Sequence, residues 1–248
     1  MTFHTILLGF HIFVGALSIA SGFIGLTARK GSPRHLRSGK AFLLTMTCMC
    51  LSGALLSVLG GITISLLVSV FTLYLLATAW RASRRFRQIA SWADVAGCTL
   101  TSFLAVCFFY FGHLASISPS GMIDDIPIGP VPYYVFGFVT LFCGLRDLVF
   151  ILNTRRTIKQ AQAPHIWRIS VALFIATSSF FTGNPQVFPE WFSKSFISSL
   201  PEQTVLLIMA YYLLRAFISE SIVLWFSKRV LTLKERWMHF LEPNHGAN

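Results

Sequence analysis

"RKGSPRHLRSGK", residues Arg29–Lys40, gathers five cations and a histidine in twelve residues, with no acidic residue among them. It follows an unbroken apolar run from Ile6 to Thr27. Cations that follow a span resist translocation and lie against anionic headgroups, so such a block marks the point where a helix leaves the bilayer on the cytoplasmic side. The composition agrees. The chain has 248 residues, of which 54% are hydrophobic and only 12% charged, and its mean hydropathy is +0.67. Soluble domains carry about a quarter of their residues charged, so this chain lacks the means to cover a water-facing surface. Lipid is the expected solvent for most of it.

The net charge of +11 does not indicate a nucleic-acid partner, because the cations fall in short runs between apolar segments. Seven spanning helices are expected: Ile6–Thr27, Ala41–Leu59, Ile62–Trp80, Ala93–Ala115, Pro132–Leu152, Ile166–Thr182 and Thr204–Phe226. Gly60-Gly61 makes the turn between the second and third. Most reach the roughly 20 residues that a bilayer core of about 30 Å demands. None shows the two-residue alternation of a barrel strand. The first run reads as a retained helix, since "MTFHT" lacks a basic leader region.

With seven spans the cationic connectors share one side. They are Arg29, Lys30, Arg34, Arg37 and Lys40; Arg81, Arg84, Arg85 and Arg87; Arg155, Arg156 and Lys159; and Lys228, Arg229, Lys234 and Arg236. The other side has Lys194 as its only cation, with Asp124, Asp125, Glu190 and Glu202. The expectation is an all-α integral membrane bundle with its N-terminus outside and its C-terminus cytoplasmic. Residues 1–226 form one transmembrane domain and 227–248 an amphipathic cytoplasmic tail. Trp80, Trp92, Trp167 and Trp225 fall at the cytoplasmic ends, and "NPQVFPEWFSKSF" reads as a segment along the outer interface. The five cysteines lie within apolar stretches and read as buried thiols; Met46 and Cys50 share one helix face.

Two sets of residues could carry chemistry. In the first helix His11, Gly15, Ser18, Gly22 and Gly25 recur at helical spacing as one narrow stripe. A small-residue seam admits a neighbouring helix closely, which explains all of them except the histidine. The sharper reading makes His11 the ligand of a flat group, with the small residues leaving room for it. His113 in the fourth helix lies at similar depth, so the pair could hold a haem b as two axial imidazoles, or a quinone by hydrogen bonds. The second set lies in the inner half. Arg146 and Asp147 in helix five, and Arg215 and Glu220 in helix seven, are about 20 Å from the outer surface. Arg168 joins them from helix six, with His165 and His35 at the cytoplasmic boundary. Charges at such depth face the bundle interior and pair, and Arg146 or Arg215 with Asp147 or Glu220 is the expected pairing. Three arginines against two acids leave one positive charge for an anion. His35 within "RHLR" reads as a solvated loop residue. No Ser-His-Asp, GxSxG, P-loop or HExxH pattern occurs in its required context, which argues against a hydrolase or NTPase.

"ARKGSPRHLRSGKAF", "YLLATAWRASRR", the Asp of "LRDLVFIL" and "HIWRISVALFIATSSFFTGNPQVFPEWFSKS" together resemble a bacterial inner-membrane family catalogued as a domain of unknown function. Its members look like "KGS..HR..G" after the first helix and "HLWRM..ALFIA..SFF.GQ" in the sixth. This chain departs from that pattern at Leu36, at Ile169 and in "TGN". The resemblance implies a shared seven-helix fold in the bacterial cytoplasmic membrane and points to His11, His35, Asp147, His165 and Arg168 as matched positions; it implies no activity. The functional expectation is therefore a membrane redox component holding haem b or a quinone at His11 and His113. The alternatives are a small-solute or ion transporter with its path along Arg146, Asp147, Arg215 and Glu220, or an accessory subunit bound to a membrane protein partner.

Overall fold

The computed structural model describes residues 2–84, 90–123, 128–152, 158–183 and 188–215. Among them there is no strand. The helices are α1 (Phe3–Thr27), α2 (Pro33–Gly60), α3 (Thr63–Arg84), α4 (Trp92–Ile117), α5 (Pro130–Leu152), α6 (Ile158–Phe181), the single turn α7 (Glu190–Ser193) and α8 (Phe196–Arg215). The first turn of α8 is a 3-10 turn over Phe196–Ser199.

Several boundaries differ from the sequence expectation, each for a local reason. The second helix begins at Pro33, eight residues before Ala41. Ser32 caps it, accepting a hydrogen bond from the His35 N–H at 3.2 Å, and Pro33 occupies the first turn, where its missing N–H costs nothing. The block "RHLRSGK" is thus helical, and the connector shrinks to Ala28–Ser32. The third helix runs past Trp80 to Arg84, with Arg81 and Arg84 in the last turn where cations complement the helix dipole. The sixth begins at Ile158 and carries Pro164 inside it. Gly61 closes α2 in the left-handed region, φ 67°, and lets the chain reverse into α3. Arg85, Arg87, Asp124, Asp125, Arg155, Arg156, Glu220, Trp225 and the tail 227–248 lie outside the described residues.

Two hairpins flank a central pair. The hairpins α1–α2 and α4–α5 have the most extensive helix contacts among the described residues. Between them α3 packs against α2, α4 and α6, and α6 packs against α3 and α1. Phe71, Tyr74, Leu75 and Ala79 of α3 are buried, as are Ala172, Leu173 and Ala176 of α6. At the end of α3, Arg81 Nη2 donates to Ser91 Oγ at 2.7 Å and lies 3.6 Å from Asp94, tying it to the start of α4.

The polarity is that of a protein in lipid. The interior holds Ser18, Ser57, Thr72, Thr101, Thr140 and Thr177, while Leu44, Val106 and Leu207 are 68%, 67% and 72% exposed. The buried hydroxyls donate to carbonyls one turn back in their own helices: Ser18 to Val14 at 2.7 Å, Thr72 to Val68 at 2.7 Å and Thr101 to Gly97 at 3.0 Å. They add small volume at the contacts, and each of these three hydroxyls is paired within its own helix. Among the described residues six helices are long and apolar enough to cross a membrane: α1 to α5 and α8. α6 is not among them.

The glycine stripe of α1 is a contact surface, and how tightly each position is packed differs. A Cβ on Gly22 would lie 2.6 Å from Leu173 Cδ1 and 3.0 Å from two Phe42 ring atoms, whereas one on Gly15 would meet Met49 Sδ at an ordinary 3.4 Å. Gly22→Ala is expected to destabilise the bundle by about 1–3 kcal/mol and Gly15→Ala by less than about 1 kcal/mol. Unfolding titrations in mixed micelles check the difference; equal effects would contradict the packing described.

Candidate functional site

The inner set of polar residues converges, though with a different pairing from the one expected. Asp147 of α5 is buried, and its two carboxylate oxygens are bonded from two other helices. Arg168 Nη2 of α6 donates to Oδ1, and the Tyr74 hydroxyl of α3 donates to Oδ2. Arg146 and Arg215, named as the partners of Asp147 from sequence, are exposed. One residue along a helix turns a side chain by about 100°, enough to take Arg146 off the face that buries its neighbour. Glu220 lies outside the described residues. The ion pair is Asp147–Arg168.

Aromatic and small residues shape the surroundings. The Arg168 guanidinium carbon stands 5.1 Å from the Trp167 ring centre and 5.7 Å from that of Tyr74. Gly97 of α4 brings its backbone close to Asp147: a Cβ there would lie 3.4 Å from Tyr74 Cε2 and 3.8 Å from Asp147 Oδ2. Cys98 donates to the Gly144 carbonyl across α4 and α5 at 3.6 Å. Arg168 Nε is buried, and no described residue accepts its hydrogen bond.

A basic ladder leads from this cluster to the end of the bundle. His165 lies one turn before Arg168, and its Nδ1 is 3.0 Å from the Ala79 carbonyl. His35 Nδ1 is 2.9 Å from the Gly25 carbonyl. A carbonyl only accepts, so Nδ1 carries a proton in both rings. His165 lies within electrostatic reach of both His35 and Lys30. Half-buried His35 is thus held at a helix end and is not the solvated loop residue expected from sequence. Lys30 Nζ donates to the carbonyls of Leu26 at 2.7 Å and Gly25 at 3.2 Å, capping α1, and stands 4.4 Å over the Tyr212 ring. Burial pushes its ammonium below the usual lysine range.

The outer set is arranged differently. His11 Nδ1 lies 3.1 Å from the Met49 carbonyl and 3.0 Å from Ser52 Oγ, both on α2. The Ser52 hydroxyl donates to Cys48 O at 2.8 Å, so Nδ1 is the donor toward α2. The imidazole rests against Gly53, where a Cβ would meet its Cε1 at 3.0 Å. The partner that a histidine needs in lipid is therefore the α2 backbone. Gly15, Ser18 and Gly22 are buried, with Met49, Phe42 and Leu173 filling the space over the glycines. His113 is exposed on α4, which packs on α5 and α3, whereas α1 packs on α2 and α6. The geometry thus gives no support to a haem held between His11 and His113. Among the described residues no three His, Cys, Asp or Glu side chains gather as metal ligands would. Met46 and Cys50 are buried together in the core.

From sequence Tyr74 is not singled out, and Trp167 and Lys30 read only as an interfacial aromatic and a connector cation. Tyr74 carried a usable signal: it is a hydroxyl in the inner half of an apolar helix, at the depth of an acid that needs donors. No protein-family profile, curated protein or solved structure matches the chain.

The pairing predicts an unequal set of stabilities. Arg168→Leu leaves Asp147 charged and uncompensated and is expected to cost roughly 3–5 kcal/mol. Tyr74→Phe removes one donor and is expected to cost about 1–3 kcal/mol. The double variant Asp147→Leu/Arg168→Leu is expected to recover most of the Arg168→Leu loss. A double-mutant cycle by unfolding in micelles measures this, and additive losses would show that the two side chains are not coupled.

Proposed function

We propose that the protein is a multi-pass membrane transporter of a small solute, with Asp147, Arg168 and Tyr74 as its exchange point. In this reading α6 is a seventh span, the N-terminus is outside and the C-terminus cytoplasmic, in a bacterial inner membrane. The basic ends of α1, α2 and α3 face the anionic leaflet. The supporting observation is the placement of one buried acid and one buried arginine on helices from different parts of the bundle, next to a ladder of titratable groups. Ionisable groups within a bilayer are costly and mark pathways. A pair made across α3, α5 and α6 can be broken and remade as those helices shift, while the seams of α1–α2 and α4–α5 stay closed. His165, His35 and Lys30 form the inner mouth. Pro164 cannot donate to the carbonyl four residues earlier, so α6 has a weakened turn just before His165, at the mouth itself.

The reading also explains why α6 falls short of the other helices in apolarity. Its first half carries His165, Trp167 and Arg168, and it faces the bundle with them. The pathway runs along α6, in the inner half where the sequence put its polar path, but through Arg168 in place of Arg146 and Arg215.

Counterflow in proteoliposomes with a panel of small anions, cations and neutral solutes tests the function. Saturable flux of at least one class is expected, with net uptake reduced at least about 100-fold in Asp147→Asn and Arg168→Gln. Wild-type protein that passes none of the panel, together with variants that lose only thermal stability, would make the cluster a structural lock. Cysteine labelling checks the sidedness: single cysteines at Arg37 and at Lys194 should react from opposite faces of the membrane.

A further inference from the structure

We infer that the transported solute is a small monovalent oxyanion, of the carboxylate class, that seats on Arg168 as Asp147 takes up a proton. The inference rests on the transporter reading and names its substrate. It starts from the half-used guanidinium. A carboxylate facing an arginine commonly takes two parallel N–H bonds from one edge of the fork. Asp147 takes one, from Nη2, because Tyr74 holds its other oxygen toward α3. Nε–H on the same edge is buried and unpartnered among the described residues, in a side chain that is 9% exposed. An unmet donor of a charged group at such depth is expensive, and its complement is an oxygen with negative charge.

The route in has the same sign. From the inner end of the bundle to Arg168 the titratable groups met in turn are Lys30, His35 and His165, all bases. The groups facing Asp147 are Tyr74 from α3, Arg168 from α6, Cys98 from α4 and Cys143 one turn back on α5. None of them is a carboxylate, and among the described residues the other carboxylate at this end of the bundle, Asp94, is held by Arg81 and Ser91 at the α3–α4 corner. A cation would face three bases and an arginine before reaching Asp147.

Charge conservation then fixes the stoichiometry. Asp147 and Arg168 together are neutral. A second anion on Arg168 would leave the buried site with a net negative charge, which the low dielectric penalises heavily. A proton on the Asp147 carboxylate restores neutrality. The Nη2–H···Oδ1 bond is released, the incoming carboxylate accepts from Nη2–H and Nε–H, and the Tyr74 hydroxyl stays against Oδ2. No redox change occurs. One proton accompanies one negative charge, so a monoanion balances and a dianion does not. Net movement is then electroneutral symport of anion and proton.

Calorimetric titration of the intact protein in lipid nanodiscs with sodium lactate, against sodium chloride, tests the site. Lactate binding is expected to tighten about tenfold for each unit of falling pH, since one proton is taken up per anion. In Asp147→Asn, which is neutral at every pH, binding should persist and the pH dependence should vanish. Arg168→Gln should weaken binding at least about 100-fold, and Arg168→Lys, which keeps the charge but not the fork, by about tenfold. Lactate binding that is absent, or equal in wild type and Arg168→Gln, overturns the inference. So does a pH dependence that survives in Asp147→Asn and disappears in His165→Gln. Flux of a neutral solute or cation without lactate binding would sink the substrate class and leave the transporter standing. Proton-linked lactate binding without flux of any solute would do the reverse.

Discussion

The bond from Arg168 to Asp147, with Tyr74 on the other carboxylate oxygen, is the constraint on which the arrangement of this bundle depends. The α4–α5 hairpin packs chiefly on itself and touches the remainder mainly through α3. Dispersion and small-residue packing act within each hairpin, but they are non-specific between hairpins, because lipid tails solvate an apolar helix as well as another helix does. A carboxylate with two directed donors on two different helices has one geometry. It fixes the rotation of α5 about its axis and the height of α6 against α3 and α5 together. Buried pairs contribute little net free energy compared with apolar replacements, but they discriminate strongly against wrong registers.

The remaining polar groups follow the same economy. Buried Ser and Thr hydroxyls return to their own backbones, and His11, His35 and His165 each bond a carbonyl of another helix or helix end. His11 joins α1 to α2, His35 reaches the end of α1, and His165 joins α6 to α3. Three histidines that look like ligands in the sequence serve as interhelical pins through Nδ1. The difference among them lies in what surrounds Nε2. His165 lies within electrostatic reach of His35 and Lys30, one turn from Arg168, whereas His11 is set into a seam closed by Met49 and Gly53.

Much of this was legible before any coordinates. Apolar run lengths determine where helices lie, because each must satisfy its own backbone in lipid. The glycine stripe of α1 named its contact face correctly, since helical spacing maps directly to position around the axis. Helix starts were read late at Pro33 and Ile158, because cations look like loop while Ser32-Pro33 is a start signal of equal strength. The pairing of Asp147 was misread for a different reason. Depth along the membrane can be counted from sequence, but azimuth relative to other helices cannot. Arg146, Arg168 and Arg215 all had plausible depths, and only the packing of α3, α5 and α6 distinguishes them. Tyr74 was overlooked because a tyrosine in an apolar run reads as bulk until an acid is found opposite it.

In the proposed seven-span reading, the modest apolarity of α6 has a consequence for biosynthesis. A segment bearing His165 and Arg168 partitions poorly into hydrocarbon by itself, whereas α1 to α5 can enter unaided. Asp147 and Tyr74 precede it along the chain and would already wait at the right depth when it leaves the ribosome. The arginine then gains a counter-charge on arrival, so insertion of the least greasy helix is linked to the correct stacking of those made earlier.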